Sequence, residues 1–381
     1  MSSNTLCAAV LLSLVEVLAG PRTGNYYLAH IGGVGRLLEI QGPDNCREAF
    51  AKELLRFTRG GIITTSIYKL EPCFLLLPEW RDIAFENMSS NPEDNLYTRV
   101  LHQLAQFSTL LMETQELDTL IDPFFQSIGI VNTGQDFGKD NLSIEMSPLD
   151  SDLDFDFTHP LYHNFSPTQI SDIDFAQHQS PNLDLESTSS DYTTDVAQMC
   201  LEVQHSLLNK VYTMKKSLDD IGAQLTTKII DGSFAIELPS EEKDTPIQAA
   251  YHFTHWKIAV IYTTYWPLSI LVNKLLLRLL PLYDPSSYLI EAECRTIALE
   301  ICKIWDDAWA NRPIGACHVW LGFVVAFDYC SEEVQMWILA ALNKLLGDQG
   351  VREWQWTEDL VRTMSAKLMG EVDLSMYSNA E

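Results

Sequence analysis

Four places in the chain carry side chains whose type and spacing could do chemistry. His252 and His255, three residues apart, would point toward one metal ion if they shared a helix face. A metal site needs three or four ligands, and no Glu or third His stands nearby, so core or surface histidines are expected. Asp306 and Asp307, in IWDDAWANR, are adjacent carboxylates of the kind that hold magnesium for lyase chemistry. Asn311 occupies the offset where a further acid would belong, so a solvated helix face is expected instead. Cys317 and His318 pair a nucleophile with a base, but adjacent side chains on a helix diverge. GGVG, from Gly32 to Gly35, invites a nucleotide reading until Leu38 is found where the third glycine should be, with no strand before it. Those glycines are expected to serve helix packing. No catalytic, cofactor or metal site is therefore predicted, and the chain is not expected to be an enzyme.

The elements that would position such groups read as helices. Leu6, Val10, Leu11, Leu14, Val17 and Leu18 recur at three- and four-residue spacing, and Gly20-Pro21 ends the run. Burying six such side chains at about 1.5–3 kcal/mol each would rival a whole domain's stability, so the stripe must be covered. A second helix runs from Tyr26 through His30, Val34, Leu37 and Leu38 and stops at Gly42-Pro43. Asn91-Pro92-Glu93 opens a third pattern through Leu96, Val100, Leu104 and Leu111. Beyond Asp195 the stripe Val196, Met199, Val203, Leu207, Val211, Met214 and Leu218 ends near Asp231-Gly232. A helical pattern is then expected to open at Thr245-Pro246, to kink or break at Pro267, and to close by Pro281. Ser286 or Ser287 starts another, with Ile290, Cys294, Ile297, Ile301 and Trp305 facing inward. The most buried segment should be Ala316 to Tyr329, a cap at Ser331 starts the next helix, Gly347 stops it, and Thr357 to Met369 supplies the last. The predicted fold class is all-α, an irregular helical bundle or array with a disordered acidic insertion. Its parts are a first helical half over 1–132, the insertion over 133–195, and a second helical half over 196–381.

Composition narrows the function classes. With 46% apolar residues over 381 positions, the chain can fill a real core. Its 52 acidic residues against 25 Lys plus Arg give a net charge of −27, which repels phosphate backbones and anionic membrane surfaces. Neither direct nucleic-acid binding nor membrane association is expected. The apolar N-terminal run has no Lys or Arg before it and holds Glu16, unlike a secretory signal. The stretch from Ile258 is interrupted by Pro267, Lys274 and Arg278, so no membrane span is predicted. Eight cysteines, without a CxxC pair or a dense cluster, read as buried free thiols in a reducing compartment.

Charge concentrates in the insertion. Residues 133–195 hold thirteen acidic side chains against Lys139 alone, a net of −12. LDSDLDFDF and SDIDF set apolar side chains beside Asp, the compositional pattern of a disordered activation segment. Leu153, Asp154, Phe155, Asp156, Phe157, Asp174 and Phe175 are the predicted partner-binding residues. Like charges hold such a chain open and keep its aromatic groups available to a basic, apolar groove. Two other readings stay open: a solvated linker, or a half-buried strand with Leu153, Phe155 and Phe157 on one face.

The order of segments then resembles a known family. LCAAVLLSLVEVLAG, HIGGVGRLLEIQGP and ELLRFTRGGIITTSIYKLEPCFLLLPEW follow one another as in the fungal-specific transcription factor domain, the regulatory half of fungal zinc binuclear cluster activators. The residues that match are Glu16, His30, Gly33, Leu37, Leu38, Gly42, Pro43, Arg59, Pro78, Glu79 and Trp80. WKIAVIYTTYWPLSIL and ACHVWLGFVVAF are similar to later family segments. The family's six-cysteine cluster and basic flank are absent, and the match opens at Met1 in what is usually the interior of the domain. The resemblance implies a nuclear transcriptional regulator that acts on RNA polymerase II genes, including those of secondary metabolism. It would work through a DNA-binding regulator or self-association, and through a coactivator. A helical ligand-binding or enzymatic protein built on the same scaffold is the alternative.

Overall fold

Helices open where a short polar side chain serves the first free N–H groups, and close where the backbone turns left-handed. The computed structural model describes residues 3–19, 26–86, 91–127, 189–243, 245–312, 315–348, 350 and 355–371. Four helices come first: α1 (Ser3–Ala19), α2 (Tyr26–Gln41), α3 (Ala49–Lys69) and the short α4 (Pro78–Arg81). Gly42 ends α2 at φ +80°, its N–H bonded to the Leu38 carbonyl at 3.0 Å. The wide helical turn Asp82–Glu86 then leads toward α5 (Pro92–Ser127), where Asn91 Oδ1 accepts the Glu93 N–H at 2.9 Å.

The second half runs α6 (Ser189–Ile230), β1 (Ala235–Pro239), β2 (Ala249–Phe253), α7 (Trp256–Leu279), α8 (Ser286–Cys302) and α9 (Trp305–Ala310). It closes with α10 (Val319–Ala326), α11 (Glu332–Asp348) and α12 (Glu358–Leu368). Thr357 caps α12, its hydroxyl accepting the Leu360 N–H at 3.2 Å. The fold class is all-α, with one small antiparallel hairpin, β1 on β2, paired from Ala235 opposite Phe253 to Pro239 opposite Ala249.

Residues 1–121 and 199–381 make one unit, so the two helical halves share a core. Residues 122–198 make the other. Of these, 122–127 complete α5 and 189–198 begin α6. The shared core is built around α7, where Tyr262, Leu268, Ile270, Leu275 and Leu276 are fully buried against α8 and α10. In α10, Gly322 faces Ile301 and Pro267, and Gly322 to Phe327 are all buried, but within the segment expected to be most buried His318, Trp320, Leu321 and Tyr329 are only half-buried and Asp328 is exposed. α5 and α6 run antiparallel: Arg99 meets Gln224 and Glu113 meets Lys210, so forward steps on one match backward steps on the other. Helix α7 is long and apolar enough to cross a membrane, and 78% of its most apolar window is buried in this core.

Four expectations are corrected. The pattern from Thr245 is not helical: its hydroxyl accepts the Ile247 N–H within a turn, and the chain enters β2 before α7 starts at Trp256. β2 is drawn out of helix by its partners, since the Tyr251 N–H reaches the Lys303 carbonyl at 2.8 Å and the Tyr251 ring stacks on Trp266. Pro267 does not break α7, because the residues on both sides are packed in the core and hold the helix through the missing hydrogen bond. On α1, Leu6, Val10 and Ser13 face inward, while Leu11 is 56% exposed and Leu14 is half-buried. Along α8, Ile297 is also only half-buried.

Candidate functional site

The predicted partner-binding residues Leu153, Asp154, Phe155, Asp156, Phe157, Asp174 and Phe175 lie outside the described residues. Each chemically suggestive pair elsewhere has a structural task. His252 sits in β2 opposite Ile236, not on a helix, and His255 caps α7, its Nδ1 accepting the Lys257 N–H at 3.2 Å. Asp306 accepts the Ser240 hydroxyl at 2.9 Å and the Glu241 N–H at 2.8 Å. Asp307 accepts the Phe253 N–H at 3.2 Å and is buried, and burial pushes its carboxyl above the usual carboxylate range. The expected solvated face is therefore a clamp that ties the β hairpin to α9. His318 ends a single tight turn, Ala316–His318. Gly32 and Gly35 bring α2 close to α3, where added Cβ atoms would lie 3.3 Å from Thr65 and 3.5 Å from Ile62. Among the described residues no group of three His, Cys, Asp or Glu could hold a metal ion.

An exposed apolar strip with a groove beside it lies on α1 and α2. Helix α1 carries apolar side chains on more than one face, so covering Leu6 and Val10 leaves others outside. Leu11, Leu12 and Val15 are exposed by 56%, 54% and 56%. Beside them opens a groove of about 490 Å³ between α1 and α2, lined by Ala9, Leu12, Ala29, Gly33 and Leu37 with His30 and Arg36. No atom lies within 4 Å of where a Gly33 Cβ would stand, so the groove floor is open there. Arg36 pairs with Glu39 at 3.0 Å at its edge. An apolar strip with a polar border has the anatomy of a helix-docking surface. Sequence periodicity placed Leu11 on an inward stripe and left out Leu12 and Val15, the other exposed members of the strip.

Of the residues behind the family resemblance, Leu38, Arg59 and Trp80 are buried, whereas Gly33, Pro78 and Glu79 are exposed. Leu38 is fully buried, and Trp80 is buried edge-on to Phe74, with ring centroids 5.0 Å apart. Arg59, 7% exposed, reaches out of α3 to donate to the Ala84 carbonyl at 2.5 Å and the Thr98 hydroxyl at 2.8 Å. It thereby fastens the wide turn after α4 to α5.

Comparison with known proteins adds little. No family model matches the chain, and no solved structure matches it. One relative, "Uncharacterized protein AN5342" of Emericella nidulans, is 28% identical over 126 residues. That match covers 31% of this chain and 27% of the relative's length.

Proposed function

We propose that this chain regulates transcription by RNA polymerase II in a fungal nucleus through protein partners, without reading DNA itself. Its helical core docks a DNA-binding regulator, and its acidic–aromatic segment engages a coactivator. The observation that carries this reading is the uncovered apolar strip Leu11, Leu12 and Val15 beside an open groove. Three such side chains, each already nearly half covered, gain on the order of 1 kcal/mol apiece when a partner buries the rest. The charge of −27 favours basic protein surfaces over nucleic acid as the partner.

The test joins the full chain to a foreign DNA-binding domain and measures reporter output. Output well above that of the bare domain is expected, falling back to it when Phe155, Phe157 and Phe175 become Ala. Output equal to that of the bare domain from the unaltered chain would sink the activation half. The docking half is read by recovering a DNA-binding regulator with the tagged chain from fungal nuclear extract. The paired changes Leu12→Asp and Val15→Asp should abolish that recovery, and recovery unchanged by them would refute docking at this face.

A further inference from the structure

The structure assigns a small organic carboxylate to a cavity between the turn after α4 and the face of α5. The cavity is about 210 Å³ and is lined by Arg81, Phe85, Thr98, Arg99 and His102. In a chain with about twice as many acidic as basic residues, two guanidinium groups and an imidazole border one small space, and among the described residues that line it none is a carboxylate. Two helical elements bring them together. Arg81 ends α4, while Thr98, Arg99 and His102 lie within about one turn of each other on α5.

A third guanidinium stands behind this wall. Arg59 donates from the core side to the Thr98 hydroxyl, which itself donates to the Asp94 carbonyl at 2.7 Å. Thr98 is thereby locked in orientation, and the buried charge lies one side chain behind it. Arg59 Nε has no hydrogen-bond partner, so this cation is incompletely compensated within the core. Its field adds to that of Arg81 and Arg99 in a space partly shielded from water.

The other groups are held in place before a ligand arrives. Arg99 spends one N–H on Gln224 at 3.2 Å and keeps its remaining donors. His102 lies against the Phe85 ring, centroids 5.0 Å apart and planes at 55°. Arg81 and His102 keep contacts within the protein as well. A planar guanidinium fork matches a carboxylate head, and the Phe85 ring offers an apolar wall for the body attached to it. The volume falls below the roughly 300–1,000 Å³ of drug-sized sites, which limits the ligand to a single ring or a short branched chain. The site is separate from the α1–α2 groove, so it would add ligand control to the proposed regulator without depending on it.

Calorimetric titration of the full chain with benzoate tests this, with benzamide and inorganic phosphate as comparisons. Saturable benzoate binding is expected, at least about tenfold tighter than either comparison. Arg81→Gln and Arg99→Gln, both at the surface, should each weaken it by about tenfold or more, while Lys257→Gln should leave it unchanged. No saturable benzoate binding to the unaltered chain would overturn the assignment, as would equal affinity for benzamide. Phosphate binding as tightly as benzoate would also overturn it, because the apolar wall would then contribute nothing.

Discussion

Gly222 of α6 lies directly under the hydroxyl of Tyr265 in α7: a Cβ at position 222 would overlap that oxygen and stand 2.9 Å from the ring carbon bearing it. The same two helices are tied one turn further on, where the Tyr262 hydroxyl donates to the Leu225 carbonyl at 2.9 Å. The long helix α6 can approach the core only because position 222 has no side chain. Gly222→Ala is expected to destabilise the fold by about 1–3 kcal/mol through overpacking, despite alanine's better helix propensity. Adding Tyr265→Phe removes the oxygen and should recover most of the loss in urea denaturation. Independent effects of the two changes would refute the contact.

Arg59 gives a second test. It is buried and bonds one carbonyl and one hydroxyl in two different elements. Replacing it with Leu leaves the Ala84 carbonyl without this donor, at about 1.5–3 kcal/mol for each lost charge-assisted bond. Lys, with a single point-like head, should keep one bond and lose the other. Chemical denaturation midpoints should therefore rank Arg59, Lys, Leu from most to least stable.

The pH dependence of stability should report on Asp307. Burial raises its folded-state pKa, against the opposing pull of the Phe253 N–H and Asn311. A carboxyl with a raised folded pKa binds its proton more tightly in the native state than in the unfolded one. Its contribution is fully present below the unfolded value of about 3.9 and is lost as pH rises through the folded value. Asp307→Asn keeps an oxygen for the Phe253 N–H and removes the charge. It should stabilise the protein near neutral pH, and the gain should shrink as pH falls toward about 4. A gain that grows with acidification would contradict the assignment.

Cysteine reactivity should divide by burial. Burial raises the Cys46 and Cys294 thiols to about 11, and Cys73 also shifts upward. At pH 8 a thiol of pKa near 11 is thiolate about one part in a thousand. Cys7 on α1 and Cys330 are half-buried and should react first with Ellman's reagent in the native protein. Cys46 and Cys294 should react only after denaturant is added. Rapid labelling of either in the native state would mean that the core opens locally.

Local chemistry was legible in the sequence, and contact between distant segments was not. The Gly42-Pro43 stop and the Asn91-Pro92-Glu93 start depend on hydrogen bonds within a few residues, and each forms as read. Thr245-Pro246 has the same local appearance as a helix start, but Tyr251 finds partners in Lys303 and Trp266, and the segment becomes a strand. Asp306 and Asp307 read as solvated for a similar reason, since Ser240, Glu241 and Phe253 are far away in sequence. The periodicity of α1 showed that the helix is apolar but not that Leu11 faces out. The basic cavity was invisible because Arg81 and Arg99 meet only through the turn that Arg59 fastens.

The antiparallel register of α5 and α6 has one more consequence. With Arg99 beside Gln224 and Glu113 beside Lys210, the chain leaves the core near residue 121 and returns near residue 199 at the same end of one helix pair. The cost of joining two such neighbouring points rises slowly with the length of chain between them, by about 0.6 kcal/mol for each doubling. Evolution can lengthen, shorten or rewrite what lies between those points while the packed helices scarcely register the change.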